Sequence, residues 1–451
     1  MCQAHPARHL SGATRHVRLR LSTLFTPVAG YPGSLGGVEA AKVGSSMRTG
    51  GLSGLICFTA LSIGSAASIA AQAPEPATRQ GAIEQEQAAK VKELHAYVPG
   101  RAERVANRID ELMAGGIPRW HPFFDKAYSG GGFTLGLGYS QPVSAYNFVD
   151  VRGSYTIKGY KLIEAEFKAP RIFQRRGKLS LLGGWREATQ VGFYGLGMDN
   201  SKDDRTNYDF EQPYGSATLE LWPARKYLMF RGGVELSEWS LHPGKGRAWP
   251  SVETRYTPAT LPGLGARARY LHTEGTVGLD WRTSPGYTRR GGFYGATLHD
   301  YSDNDDEFGF RQVDYEAIQH IPILREAWVI SLRGQVRTTL NKDDQVIPFF
   351  MLPSVGGGSS LRGYSSWRYR DRHSIVGQAE WRIMVNRFLD MAFFYDAGKV
   401  TSRRADLDFD GLKNDFGLGF RFHGPFATPL RIEVAKSREG IALVFASTPI
   451  F

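Results

Sequence analysis

The chain is poor in cysteine. Its 451 residues contain two, Cys2 and Cys57. Neither has metal-ligand spacing, and the pair supports no disulfide framework. Cys57 is not a lipoprotein site either, because Gly54-Leu55-Ile56 lacks the small residue expected just ahead of such a cysteine. Local catalytic signatures are missing as well. There is no G-x-S-x-G nucleophile elbow, no H-E-x-x-H and no paired C-x-x-C. The formal charge of +11 is spread along the chain rather than gathered on one helix or tail, which argues against nucleic acid. The sequence thus predicts no enzyme, no cofactor and no metal.

Glycine and aromatic residues are abundant: 53 glycines, with 12% Phe, Trp and Tyr. In short alternating segments this mixture suits β-hairpins better than helix bundles. Before those segments, Met47 and Arg48 open a signal-peptide pattern. Its apolar stretch runs from Leu52 to Ile63, and Ser68-Ile69-Ala70 offers a cleavage motif. That stretch is shorter than the ~20 apolar residues of a membrane-spanning helix. The expected division is therefore 1–46 as an upstream mis-start or disordered extension, 47–70 as signal peptide, 71–129 as a short helical periplasmic segment, and 130–451 as a barrel. In the helical part, Gln85 to His95 reads as polar helix, and Val105, Ile109, Leu112 and Met113 form one narrow apolar stripe.

From Gly131 the period changes to two. Phe133, Leu135, Leu137 and Tyr139 alternate with Thr134, Gly136, Gly138 and Ser140. Trp328, Ile330, Leu332 and Val336 alternate with Ser331, Arg333, Gln335 and Arg337. One face is apolar and the other charged or tiny, as when lipid lies outside a wet interior. Segments of roughly 9–12 residues fit a tilted bilayer crossing better than the ~5–6 of globular sheets. Sixteen such segments are counted from 131–140 to 440–447, with 178–187 and 189–197 taken as separate strands and 240–265 left as a long loop or an extra hairpin. The expected fold is all-β: a sixteen-stranded antiparallel transmembrane β-barrel in the bacterial outer membrane, preceded by short periplasmic helices. Closure satisfies every backbone group, which is why lipid tolerates sheet in this form.

Two stretches are more specific. Arg438-Glu439-Gly440-Ile441-Ala442-Leu443-Val444-Phe445 resembles a C-terminal barrel-assembly signal, with Gly440, Leu443 and Phe445 at its key positions. Between the eleventh and twelfth strands lies VGGGSSLRGYSSWRYRD, Val355 to Asp371, whose glycines and serines promise reach and whose end is dense in aromatic and basic residues.

Leu361-Arg362-Gly363-Tyr364 in that stretch resembles the V/L-R-G-Y/F loop tip of the BamA/TamA outer-membrane assembly-factor superfamily, also called the bacterial surface antigen family. Phe394-Tyr395-Asp396-Ala397-Gly398 is similar to the family's F-x-D-x-G motif, and Glu380 matches a glutamate on the preceding strand. The resemblance covers about residues 130–451. It implies a sixth loop folded into the lumen and held by Arg362 against Glu380 and Asp396, with Phe394 and Gly398 in the same motif. An arginine fork on two carboxylates suits that role. Gly363 would permit a tight turn, and Tyr364 would pack against the wall with its hydroxyl satisfied.

By the same resemblance the function is insertion or translocation of proteins, or of lipids, at the outer membrane. Its partners would be outer-membrane lipid, unfolded outer-membrane or secreted clients, and the barrel-assembly machinery for its own insertion. Residues 74–130 are too short for a POTRA domain, so the chain resembles the subgroup without one. The alternatives are a passive pore or scaffold and an outer-membrane hydrolase. Glycines 130, 131, 132, 136 and 138 either weaken pairing at a seam or make room for another backbone. His299-Asp300 and Asp303 to Glu307 suggest a catalytic or calcium cluster, but lack the ordered ligand spacing of a calcium loop and read as a solvated acidic loop.

Overall fold

The computed structural model describes residues 78–93, 100, 104, 119–447 (224–226 and 426 excepted) and Phe451. The expected signal peptide and the stripe from Val105 to Met113 lie outside the described residues. The chain divides into residues 1–95 and 96–451. In the first unit, α1 spans Arg79–Glu93. Its surface is polar, and Lys90 pairs with Glu86 one turn away, which favours the helix modestly.

The second unit is a sixteen-stranded antiparallel sheet curled into a barrel. Its strands are β1 (Trp120–Phe123), β2 (Thr134–Pro142), β3 (Phe148–Thr156), β4 (Lys161–Ile172), β5 (Gly177–Phe193), β6 (Thr206–Leu221), β7 (Tyr227–Pro243) and β8 (Arg267–Asp280). They continue with β9 (Gly291–Asp303), β10 (Phe310–Pro322) and β11 (Trp328–Asn341). A separate two-stranded ribbon, β12 (Ser354–Val355) and β13 (Tyr369–Arg370), interrupts them. The wall resumes with β14 (His373–Asn386), β15 (Leu389–Thr401), β16 (Lys413–Phe422), β17 (Leu430–Ser437) and β18 (Gly440–Ala446). Each wall strand pairs with its neighbours in sequence, from β1 at one end to β18 at the other.

The two-residue period places the faces as expected. On β16, Phe416, Leu418 and Phe420 stand exposed while Asp415 and Arg421 are buried. On β8, Leu271, Val277 and Leu279 face out and Tyr270 faces in. An apolar outer band over a charged interior suits lipid outside and water or protein within. β5 and β7 reach 17 residues each, well beyond the ~9–11 needed to cross a bilayer, so their long-loop ends project past it.

Two segments differ from the sequence reading. The expected strands 178–187 and 189–197 are one strand, β5, whose register shifts between Ala188 and Val191. A bulge breaks the alternation without ending the strand. The sheet also begins earlier than residue 131, because β1 lies within the segment read as helical. β1 has four residues, Trp-His-Pro-Phe, too few to show a period. It pairs with Gly136–Tyr139 of β2. Two glycines of β2 make this approach feasible: a Cβ on Gly136 would lie 2.6 Å from the Phe123 carbonyl oxygen, and one on Gly138 would lie 2.2 Å from the His121 ring. His121 turns inward, with Nε2 2.9 Å from Asp150 Oδ1.

β1 also sets the parity of the wall. Without it, the sixteen strands of the sheet become fifteen, and β2 and β18 point the same way. With it, the two ends of the sheet are antiparallel, as in even-stranded outer-membrane barrels.

The interior is filled. At the long-loop end, Phe193, Tyr208, Phe210, Trp239, Phe310 and Phe349 are buried in one aromatic cluster. The segment 240–265 ends β7 and then forms a loop that contributes Val252, Leu261 and Leu264 to that cluster. At the short-turn end, the turn between β8 and β9 reaches across the barrel. Tyr287 donates to Asp390 Oδ2 at 2.9 Å and stacks on His423, with ring centroids 3.8 Å apart. Phe451 packs nearby against Met229, Phe293 and Ile318.

Candidate functional site: the inserted loop and the strand seam

The loop from 342 to 372 enters the barrel, and its glycines do not form a slack tether. Gly356 and Gly357 take φ of 118° and 92°, values that glycine adopts without a Cβ penalty. The Gly357 N–H donates to the carbonyls of Leu361 at 2.9 Å and Tyr364 at 3.1 Å. The segment is thus folded on itself. Gln378 of β14 holds it by donating to the Ser360 carbonyl at 2.8 Å.

Arg362 lies at the centre and is fully buried. Its Nε and Nη2 donate to Asp396 Oδ2 and Oδ1, both at 2.7 Å. Nη1 donates to Glu380 Oε1 at 2.6 Å and to Glu433 Oε1 at 3.0 Å. The guanidinium carbon lies 3.5 Å from the centre of the Phe394 ring. Burial opposes the Arg362 charge, yet Glu380 and Asp396 raise its pKa above the ordinary arginine value, so the guanidinium keeps its charge. β14 and β15 present the two carboxylates side by side because Gln378 pairs with Asp396 and Glu380 with Phe394.

Glu433 is a partner that the sequence reading missed. Its Oε1 also accepts from Arg421 at 2.7 Å, and its Oε2 from Arg431 at 2.7 Å. Arg421 reaches Glu380 too. Three arginines, Arg362, Arg421 and Arg431, therefore face three carboxylates, Glu380, Asp396 and Glu433. Such a balanced and multiply bonded set offsets the desolvation of charges taken from water. The sequence cue was slight: Arg431 and Glu433 alternate with Leu430, Ile432 and Val434 on β17, as charged residues alternate with apolar ones on several other strands.

The remaining tip residues each have a contact. Leu361 is buried with Val355, Tyr364, Tyr369, Val376 and Val400. Gly363 is required by close approach rather than by a turn: an added Cβ would lie 2.7 Å from the Asp415 Cβ and 2.9 Å from the Ser437 Cβ. Its carbonyl accepts from the Ser437 hydroxyl at 2.8 Å. Burial raises the Tyr364 pKa, helped by the Glu439 charge, so the phenol keeps its proton and donates to the Asn414 carbonyl at 3.3 Å. At Gly398 a Cβ would meet the Ile375 carbonyl at 2.8 Å, so β14 and β15 approach closely there.

The aromatic and basic end of the loop touches both ends of the sheet. Trp367 Nε1 donates to the Ser129 carbonyl at 2.9 Å, and its ring stacks on Tyr128 with centroids 4.5 Å apart. Both partners lie between β1 and β2. Arg368 turns the other way. Its Nη2 lies 2.8 Å from Oε1 of Glu439 in the β17–β18 turn and donates to the Asn200 carbonyl at 2.7 Å. Arg370 anchors the loop to the aromatic cluster by donating to the Phe349 carbonyl at 2.9 Å and the Tyr208 hydroxyl at 3.2 Å.

Between these ends is a cavity of about 1010 Å³. One wall is Gly132, Phe133 and Thr134; the opposite wall is β18; and Arg362, Gly363 and Tyr364 form part of its back. Leu443 and Phe445 stand exposed on β18, while Gly440 takes φ of 135° at the turn that starts the strand. The acidic segment near residue 303 makes a turn: Asp303 Oδ2 accepts the backbone N–H groups of Glu307 at 3.0 Å and Phe308 at 3.1 Å.

Residues 276–440 match the Omp85 superfamily domain. Among solved structures, the chain is similar to BamA from Haemophilus ducreyi lacking POTRA domains 1–3, with 14% identity, TM-score 0.52, and coverage of 72% of this chain and 67% of that one. CdiB from Escherichia coli aligns with 11% identity, TM-score 0.48, and 73% and 60% coverage. The siderophore receptor PirA from Pseudomonas aeruginosa aligns with 11% identity, TM-score 0.28, and 73% and 66% coverage. No curated protein sequence matches the chain. The family match and the first of these structures give a distant likeness to Omp85/BamA-like outer-membrane barrels.

Proposed function

We propose that this outer-membrane barrel inserts or translocates polypeptides through the seam between β1–β2 and β18, with the inserted loop as the clasp that sets how readily the seam parts. The observation that carries this reading is the seam itself: the hydrogen-bonded order of the sheet begins at β1 and ends at β18, and the cavity is lined by β18 and by residues of the segment 124–134 that leads from β1 into β2. β1 covers four positions of β2. The backbone groups of an edge strand are a template for another strand, so an incoming barrel hairpin has a surface on which to pair. Arg362 and its carboxylates hold the loop against the wall, and Trp367 and Arg368 hold the two sides of the seam.

The filled lumen argues against a passive pore. The aromatic cluster, the inserted loop and the β8–β9 turn all place buried side chains inside the wall.

The test is a cross-link. Replacing Cys2 and Cys57 by Ser, then introducing Thr134→Cys and Ala442→Cys, permits a reducible bifunctional thiol reagent to bridge the cavity. The open barrel should speed insertion of a second outer-membrane barrel into liposomes. Bridging should abolish that effect, and reduction should restore it. Equal rates with and without the bridge would refute the seam route. No acceleration in any state, together with large steady conductance in planar bilayers, would establish the passive pore.

A further inference from the structure

A second constellation lies on the inner face of β8 and β9, away from the loop. His272 and Glu274 are two residues apart on β8, so both point inward. His299 of β9 is paired directly with Glu274, and Tyr301 with His272. The register therefore brings two imidazoles and a carboxylate onto one small patch. His272 Nε2 lies 3.0 Å from His299 Nδ1, and Glu274 Oε2 lies 3.6 Å from the same His299 nitrogen. All three ligand atoms fall within 4.8 Å of one another.

These separations suit a metal ion. Zinc binds imidazole nitrogen and carboxylate oxygen at ~2.0–2.2 Å, so two ligands of a tetrahedral ion stand about 3.3 Å apart. The supporting contacts orient the ligands without using those atoms. The His272 ring stacks flat on Tyr301, with centroids 4.1 Å apart and planes 5° apart, and Tyr301 stacks on Phe310 at 4.4 Å. Arg231 takes Glu274 Oε1 at 3.0 Å, which leaves Oε2 turned toward His299. Gly233 makes space for the Glu274 side chain, since a Cβ there would lie 2.8 Å from its Cγ. Glu235 of β7 is paired with His272 and adds a carboxyl group to the neighbouring strand. The Glu274 and His299 side chains retain 16% and 15% exposure, so an ion can enter from the lumen.

We propose that His272, Glu274 and His299 form a binding site for a divalent transition metal of the zinc class, with a fourth position open to the lumen. Two nitrogens and one oxygen suit zinc or cobalt and disfavour calcium and magnesium, which prefer oxygen alone. The site joins neighbouring strands directly, so the ion acts as a cross-link between β8 and β9.

The experiment uses the full barrel, folded in detergent and free of any histidine tag. Cobalt(II) is titrated and read by visible absorption, and zinc content is measured after dialysis. One equivalent of cobalt with four-coordinate spectra is expected, displaced by zinc. His299→Ala should weaken binding by more than the roughly 10–100-fold loss seen for outer-shell partners, while His242→Ala, elsewhere on β7, should leave it unchanged. Heat-modifiable gel migration shows whether each variant has folded. Should His299→Ala fail to fold, zinc protection of His272 and His299 from acylation by diethylpyrocarbonate, mapped by mass spectrometry in the unaltered protein, decides the matter. Absence of stoichiometric binding, or equal modification with and without zinc, would overturn the proposal.

Discussion

The Arg368 guanidinium meets the Glu439 carboxylate with Nε and Nη2 both 2.8 Å from Oε1. One residue earlier, Trp367 reaches Ser129 on the other side of the seam. Neighbouring residues of one loop thus hold the β1–β2 connection and the β17–β18 turn.

Breaking the Arg368 contact should loosen β18 before it loosens the rest. A hydrogen bond to a charged group contributes about 1.5–3 kcal/mol, and Arg368→Ala should lower barrel stability by that order. Hydrogen exchange at β18 amides should rise more than at β8 amides. Uniform exchange across both strands would separate Arg368 from the seam.

Trp367→Ala removes the stack on Tyr128 and the bond to Ser129. The segment from 124 to 133 should then become sensitive to protease, while the loop from 342 to 372 stays protected by Arg362. Limited proteolysis with mass mapping reads both at once.

Arg362→Ala should have the largest single effect in the site. It leaves Asp396, Glu380 and Glu433 with excess buried negative charge, and breaking a buried pair in this way costs about 3–5 kcal/mol. The loop should become cleavable and bilayer conductance should rise. Arg362→Lys should rescue little, because an ammonium cannot match the two-point bond to Asp396. An unchanged loop and unchanged conductance in Arg362→Ala would show that the ion network does not hold the loop.

Gly363→Ala tests packing without touching charge. Its Cβ would sit 2.7 Å from that of Asp415, and overpacking of this kind costs about 1–3 kcal/mol. A lower midpoint in urea unfolding, with the Arg362 pairs retained, is expected.

Much of the wall was legible because a strand facing lipid on one side and charge on the other repeats every two residues. The charged residues at even positions on β14 and β15 were readable for the same reason. Glu433 was not, since nothing local distinguishes it from Glu164 or Glu316; its role comes from strands that meet only when the sheet curls. β5 was split because the run Arg186-Glu187-Ala188-Thr189-Gln190 loses its alternation at a bulge. β1 was hidden because four residues with a proline carry no period, and its strand character comes from pairing with Gly136–Tyr139. The tip of the loop was found by motif, whereas the task of Trp367 and Arg368 required the positions of Ser129 and Glu439.

β1 has a consequence larger than its size. Excising Trp120 to Phe123 would remove little buried surface, yet it would leave terminal strands running in the same direction. Their amides and carbonyls would then face one another in a slanted parallel register, at odds with every other joint in the wall. A single tetrapeptide decides whether the cylinder can be sewn shut by the stitch used everywhere else.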